Sequence, residues 1–133
     1  CYPSNVPVTV TPHLGEMARL TGITIDRIKK SLCERAQNYA EAHGVICLLK
    51  DARSVISDGK TTFVNTSGTS AMAKGGSGDV LTGVIAALTA SGADPLHAAA
   101  YGAYLHGKAG ERAAEEKGIH ALLARDIANA IER

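Results

Sequence analysis

The chain has 133 residues, of which 45% are hydrophobic, and this is enough for a folded domain with an apolar core. Its 14 basic and 13 acidic side chains leave a net charge of +1 without a basic block, which argues against nucleic acid or a membrane surface as a partner. No apolar run approaches the ~20 residues of a membrane span. The three cysteines, Cys1, Cys33 and Cys47, lack Cys-x-x-Cys spacing, and this odd set favours a cytoplasmic protein.

Hydrophobic periodicity and turn residues predict strands and helices in the order of an α/β layered fold. A continuous apolar run over residues 45–49 is typical of a strand that is covered on both faces. Asp58-Gly59 indicates a β-hairpin, and Asp94-Pro95 is a typical helix start with the acid as N-cap. In chain order, the predicted elements are a strand over 7–11, helices over 14–20 and 25–43, strands over 45–49, 54–57 and 61–64, and helices over about 80–92, 94–116 and 122–131.

The stretch Gly75-Gly76-Ser77-Gly78-Asp79 carries the most chemical information, because glycines crowd together directly before an acid and an apolar helical pattern. Such a loop can turn its backbone N–H groups toward a phosphate, with the start of a helix behind it. The carboxylate of Asp79 would repel a bound phosphate. Its presence is better explained by proton transfer from a hydroxyl that attacks the phosphoryl group.

Two familiar glycine motifs do not fit this stretch. The P-loop pattern Gly-x-x-x-x-Gly-Lys-[Ser/Thr] fails on both sides of Lys74, where Ala73 and Gly75 stand, and the dinucleotide pattern Gly-x-Gly-x-x-Gly fails at Leu81. Structural alternatives are a tight strand-to-helix turn, and Asp79 as a simple partner of the helix dipole. Lys74 either faces the phosphates or is solvated.

Six segments add information, because their order and spacing are more specific than any single glycine loop. They are 11–17 (TPHLGEM), 49–56 (LKDARSVI), 65–68 (NTSG), 76–83 (GSGDVLTG), 106–110 (HGKAG) and 122–127 (LLARDI). Together they resemble the carbohydrate-kinase-like NAD(P)H-hydrate dehydratases, which are members of the ribokinase-like superfamily. The resemblance runs over essentially the whole chain and implies an α/β, three-layer fold.

The family domain is about twice as long as this chain. The resemblance therefore implies that residues 1–133 are the C-terminal part of a single domain, with the N-terminal half absent. We expect a partial, mostly parallel sheet that is extended by the hairpin. Because the family commonly forms tetramers, we also expect a homo-oligomer.

The activity implied by the resemblance is the repair of nicotinamide cofactors that have added water to the ring. A nucleotide, ADP in the bacterial branch and ATP in the eukaryotic branch, phosphorylates the added hydroxyl, and phosphate then leaves as the ring double bond returns. The expected enzyme is an ADP-dependent lyase with hydrated NADH or NADPH as substrate, and Mg²⁺ is expected to bind with the nucleotide phosphates. No metal site made by the protein is expected, since His43, His97, His106 and His120 lack ligand spacing.

The resemblance also implies roles for individual residues. Asp79 is the expected catalytic base and contacts the hydroxyl of the substrate, and His13 is the second expected substrate-binding residue. Gly78 is expected to contact the nucleotide. The expected phosphate loop is Gly75, Gly76, Ser77 and Gly78. The expected nucleotide-binding segment is Lys50, Asp51, Ala52, Arg53 and Ser54.

Two positions of the nucleotide-binding segment depart from the family pattern. Ser54 stands where Thr is usual and keeps the hydroxyl, whereas Asp51 stands where Gly is usual and adds a side chain and a charge. Asp51 therefore puts a close backbone approach to the nucleotide in doubt. Considered without the resemblance, Lys50 also fits a surface lysine after a strand, and His13 fits an ordinary turn residue.

Two other functions fit parts of the same pattern. A kinase of the superfamily, acting on a sugar, a hydroxymethylpyrimidine or a thiazole alcohol, would use the same loop and base but leave its product phosphorylated. A non-catalytic module would bind nucleotide weakly or only pack against a partner. The Thr-Pro-His-x-Gly-Glu segment at residues 11–16 favours the dehydratase over the kinase.

Overall fold

The computed structural model describes residues 5–69, 72 and 75–131, so Cys1, Ala73 and Lys74 of the sequence analysis lie outside the described residues. It divides into two compact units, Cys1–Asn65 and Thr66–Arg133. The predicted α/β class is confirmed. The elements are β1 (Thr9–Val10), α1 (Leu14–Thr21), α2 (Ile25–Lys29), α3 (Leu32–His43), β2 (Ile46–Leu49), β3 (Val55–Ser57), β4 (Thr62–Val64), α4 (Ser77–Ala90), α5 (Pro95–Lys117) and α6 (Ala124–Ala130).

The first unit contains a sheet with the strand order β1-β2-β3-β4. Strand β1 pairs with β2 in parallel, whereas β2 with β3 and β3 with β4 pair antiparallel. The expectation of a mostly parallel sheet is therefore wrong for the described strands. The connections over residues 50–54 and 58–61 are too short for the crossover that a parallel pair requires. The second of them is the predicted hairpin, which is confirmed.

The predicted single helix over residues 25–43 is wrong, because the structure has two helices there. Helix α2 ends at Lys29 and α3 begins at Leu32, and between them Ser31 leaves the helical region with φ −151° and ψ 55°. The Ser31 hydroxyl lies 3.5 Å from the carbonyl oxygen of Arg27, the kind of local bond by which serine competes with helix geometry. Both helices nevertheless keep their apolar face on the core, as the periodicity predicted.

The core of the first unit lies between helices α1–α3 and the sheet. Met17, Ile28, Cys47 and Leu49 are fully buried in it. Cys47 is thus a core residue, as predicted, and its burial raises the pKa of the thiol to about 12. The thiolate that would be needed for reactivity is therefore disfavoured.

The second unit packs helices α4, α5 and α6 together. Asp94 caps α5 and accepts a hydrogen bond from the backbone N–H of His97, as predicted for the Asp94-Pro95 start. Gly102 lets α4 and α5 approach closely, because a Cβ there would lie 2.9 Å from Cγ1 of Ile85. A second apolar cluster is built from Ala109, Ala113, Leu122, Ile127 and Ala130. Within the described residues, no helix combines the length and apolar character that a membrane span would need.

Candidate active site

The parallel pairing of β1 and β2 brings His13 and Lys50 together beyond the carboxyl ends of these two strands. Lys50 directly follows β2, His13 lies three residues after the end of β1, and the two form a parallel bridge. The backbone N–H of Lys50 donates to the carbonyl oxygen of Pro12 at 2.8 Å. A predicted substrate-binding residue and the first predicted nucleotide-binding residue are therefore neighbours within the first unit.

His13 is held in place by a capping box at the start of α1. Its Nδ1 accepts a hydrogen bond from the backbone N–H of Glu16 at 3.1 Å, and Oε2 of Glu16 accepts one from the backbone N–H of His13 at 2.8 Å. Because Nδ1 acts as an acceptor, the neutral ring carries its hydrogen on Nε2. That atom lies on an exposed side chain, 3.6 Å from Oε1 of Glu16.

The residues around His13 favour the charged form of Glu16 and leave room for the His13 ring. The pKa of Glu16 is lowered, first by the hydrogen bond from the His13 backbone and then by nearby charges that include Lys50 and Arg19. A Cβ at Gly15 would lie 3.0 Å from Cε1 of His13, so glycine leaves room for the ring. The structure thus gives His13 a capping role, and its contact with the substrate stays a prediction.

The predicted nucleotide-binding segment, residues 50–54, forms the connection from β2 to β3. Lys50 is half-buried, and the side chains that follow are exposed until Ser54, whose carbonyl oxygen accepts a hydrogen bond from the backbone N–H of Asn65 at 2.8 Å. No residue other than glycine has a positive φ in the part of the chain that the structure describes. Asp51 therefore needs no glycine-specific backbone conformation, and its departure from the family pattern consists of the added side chain and its charge.

The predicted phosphate loop leads directly into α4. Gly75 and Gly76 are exposed, and α4 begins at Ser77, so the backbone N–H groups of Ser77, Gly78 and Asp79 belong to its first turn. Gly76 has φ +87°, and a Cβ there would also lie 3.3 Å from Cβ of Ala124. Glycine is therefore favoured at this position both by backbone conformation and by space.

Asp79 occupies the first turn of α4 with an exposed side chain. Its carboxylate is thus accessible from solvent beside the free N–H groups of the helix start, which is the placement that a proton acceptor near a bound phosphate requires. The structure brings Asp79 together with Gly75–Gly78, and its role as the base stays a prediction.

Sequence reasoning gave no role to His106, which the structure places against this loop. Its Nε2 lies 3.3 Å from Oγ of Ser77, and both residues are buried, with 9% and 6% of their surface exposed. The signal available in the sequence was the HGKAG segment at residues 106–110, which contributed to the family resemblance without a chemical function.

Glycines of the same HGKAG segment let the chain around Ser67 and Met72 pass close to α5. Ser67 donates a hydrogen bond from Oγ to the carbonyl oxygen of Tyr104 at 3.2 Å. A Cβ at Gly107 would lie 2.0 Å from that Oγ, and a Cβ at Gly110 would lie 2.2 Å from Sδ of Met72. Helix α5 thus holds the chain on both sides of the glycine loop, at Ser67 and at Ser77.

Glu111 makes a further link between α5 and the chain that follows Ser67. Its Oε1 accepts a hydrogen bond from the backbone N–H of Gly68 at 2.8 Å, and its Oε2 accepts one from Nζ of Lys108. These two donors, Lys108 first, lower the pKa of Glu111 below its ordinary value. A carboxyl group with a lowered folded-state pKa stabilises the fold above its unfolded pKa, and this contribution is lost as the pH falls through the folded value.

We expect Glu111→Gln to lower stability near neutral pH and to have little effect in acid. Glutamine keeps an acceptor for Gly68 but loses the charge that binds Lys108, and the wild-type carboxyl loses this advantage as the pH falls through its lowered folded-state pKa. Urea unfolding of both proteins at about pH 7 and about pH 3 measures the difference. The matched control is Glu115→Gln, an exposed acid on the same helix. An equal difference at both pH values would contradict the assigned interaction.

The described residues contain no cluster of three or more histidine, cysteine or acidic side chains that could hold a metal ion. A cavity of about 170 Å³ between α5 and α6 is lined by none of the predicted site residues, its lining being Ala113, Glu116, Lys117, Asp126, Asn129 and Ala130.

Comparison with known proteins identifies the family. The family model described as NAD(P)H-hydrate dehydratase, of the carbohydrate-kinase type, matches residues 3–133. The bifunctional NAD(P)H-hydrate repair enzyme Nnr of Moorella thermoacetica is 49% identical over 123 residues, which are 91% of this chain and 23% of that protein.

Solved structures agree with this result. The ADP/ATP-dependent NAD(P)H-hydrate dehydratase from Bacillus subtilis, co-crystallized with ATP/Mg²⁺, has a TM-score of 0.93 at 36% identity, covering 99% of this chain and 48% of that one. A ribokinase-like superfamily protein from Enterococcus faecalis has a TM-score of 0.80 at 31% identity, covering 98% and 45%. The chain spans from about a quarter to about half the length of these proteins. The chain belongs to the NAD(P)H-hydrate dehydratase family and has the α/β fold of its ribokinase-like relatives.

Proposed function

We propose that this chain takes part in the nucleotide-dependent dehydration of hydrated NADH or NADPH. The observation that carries the proposal is the exposed Asp79 in the first turn of α4, directly behind Gly75 and Gly76, in a chain of this family. The names of the relatives support the substrate, and the B. subtilis structure with ATP/Mg²⁺ supports the nucleotide and its metal.

In this proposal, the backbone N–H groups of Ser77, Gly78 and Asp79 bind the terminal phosphoryl group of ADP or ATP. Asp79 takes the proton from the hydroxyl that water added to the nicotinamide ring. The freed oxygen attacks phosphorus, and the shortened nucleotide leaves with the bonding electron pair. The carbon–oxygen bond then breaks with phosphate as leaving group, and loss of a neighbouring ring proton restores the double bond. Phosphorylation is needed because hydroxide is a poor leaving group.

The residues of the first unit have supporting roles in the proposal. His13 offers Nε2–H to the hydrated cofactor, and residues 50–54 contact the nucleotide. Mg²⁺ fits the residues present if the nucleotide phosphates supply most of its ligands, since the described part of the chain offers no acidic cage of its own. Bound there, the ion would neutralise phosphate charge.

We also propose that the protein acts in the cytoplasm as a homo-oligomer, with neither nucleic acid nor a membrane as a partner. The free thiols of Cys33 and Cys47 and the balanced charge support this environment. Light scattering of the purified protein measures the oligomeric state, and a purely monomeric protein would contradict the proposed assembly.

The proposed activity is tested with a hybrid dehydratase, in which these 133 residues replace the matched part of the B. subtilis enzyme. We expect the hybrid to return NADH absorbance from hydrated NADH when ADP or ATP and Mg²⁺ are present, and the 133 residues alone to give little turnover. The control omits the nucleotide. A hybrid that binds ADP but accumulates a stable phosphorylated product would indicate a superfamily kinase. One that binds ADP without any turnover would indicate a module that only binds.

A further inference from the structure

The buried pair Ser77–His106 joins the start of α4 to the middle of α5. Ser77 is the first residue of α4, and His106 lies twelve residues into α5 by position, against the same buried interface. The distance of 3.3 Å between Oγ and Nε2 allows a hydrogen bond in either direction, depending on the ring tautomer. A buried hydroxyl in this position requires such a partner.

The side chain and the backbone N–H of Ser77 lie in different surroundings. The side chain is buried toward α5, so its hydroxyl is engaged with His106 rather than presented to solvent. The backbone N–H of Ser77 belongs to the open first turn of α4, beside the exposed Gly75 and Gly76. The two functions of one residue, anchoring and anion binding, therefore use different atoms.

We propose that His106 is a positioning residue of the phosphate loop, which holds the first turn of α4 in place through the hydroxyl of Ser77. The inference rests on the proposed function, because it assigns the anchored N–H groups to the terminal phosphate of the nucleotide. His106 itself contacts no phosphate. Because anion binding by several N–H groups depends on their common orientation, loosening the first turn weakens the contact with the terminal phosphate and leaves other nucleotide contacts intact.

The first test needs no ligand. In the 133-residue chain, we expect His106→Leu and Ser77→Ala to speed amide hydrogen exchange at Val80, whose backbone N–H closes the first turn of α4 on the carbonyl oxygen of Gly76. We expect His106→Gln, whose amide reaches a similar point, to restore most of the protection. The matched control is His120→Leu, the same substitution at an exposed position. Unchanged exchange in both His106→Leu and Ser77→Ala would overturn the anchoring role.

The second test compares ADP with AMP, which lacks the terminal phosphate. We expect His106→Leu to weaken ADP binding about three- to tenfold, the effect of one lost hydrogen bond, with AMP affinity unchanged. The double variant with Ser77→Ala should lose no more than Ser77→Ala alone, because His106 acts through that hydroxyl. An equal loss for both nucleotides, or additive losses, would overturn the proposal. If the wild type does not prefer ADP to AMP, the proposed phosphate site fails, and the exchange experiment still decides whether His106 anchors the loop.

Discussion

Replacing Asp79 with asparagine is expected to lower the rate of NADH return in the hybrid dehydratase by about a hundred- to ten-thousandfold, the range measured for loss of a positioned general base. Asparagine keeps the size of the side chain and its place in the first turn of α4, but it cannot accept the proton of the substrate hydroxyl. ADP affinity should hold or rise, because a negative charge beside the phosphate has been removed. The measurement is the steady-state rate together with the dissociation constant of ADP.

The matched control for this variant is Asp26→Asn. Asp26 is also an exposed acid in the first turn of a helix, α2, so the substitution removes the same charge from the start of a helix outside the glycine loop. The control should retain wild-type turnover. If Asp79→Asn kept more than a tenth of the wild-type rate, Asp79 would be a dipole partner of α4, and the base would have to be another residue.

Gly107→Ala is expected to be among the most destabilising single-methyl additions in this chain, at about 2–3 kcal/mol of unfolding free energy. The new Cβ would lie 2.0 Å from Oγ of Ser67 and 2.8 Å from its carbonyl carbon, so the backbone at Ser67 must move. Gly110→Ala should cost less, because the three atoms nearest to the Cβ there belong to the flexible side chain of Met72. Denaturant unfolding of each variant measures these differences.

Gly83→Ala is the control for this series and should change stability in the opposite direction. Gly83 is an exposed residue inside α4, and beyond its chain neighbours and the adjacent helix backbone no described atom lies within 4 Å of an added Cβ. Alanine should therefore stabilise by about 0.5–1 kcal/mol through its helix propensity. A Gly107→Ala protein as stable as wild type would show that the segment near Ser67 does not cross α5 as closely as described.

Local sequence signals predicted most of the elements, because the residues that start and stop them act through nearby atoms. Asp94 before Pro95 begins α5 through its side-chain cap, and the glycines before Ser77 lead into α4 through their backbone conformation, so that each effect is confined to a few residues. The break at Ser31 was missed because its apolar neighbours keep the helical period across it. A change in backbone angles at one polar residue leaves no mark on that period.

Contacts between distant residues were beyond the sequence signals. The pairing of His13 with Lys50 depends on the parallel register of β1 and β2, which neither segment encodes alone. The approach of His106 to Ser77 likewise depends on how α4 packs on α5. The resemblance predicted which segments matter, and the structure adds which of their atoms meet within each unit.

The most direct test of the central claim is to follow the oxygen atom of the added hydroxyl. Hydrated NADH labelled with ¹⁸O at that hydroxyl is converted by the hybrid dehydratase with ADP and Mg²⁺, and the released phosphate is examined by mass spectrometry. Attack of the deprotonated hydroxyl on a phosphoryl group bound at the start of α4 predicts one ¹⁸O atom in the phosphate for each NADH formed. Label found in water, with unlabelled phosphate, would contradict the account, because the hydroxyl would then have left without being phosphorylated.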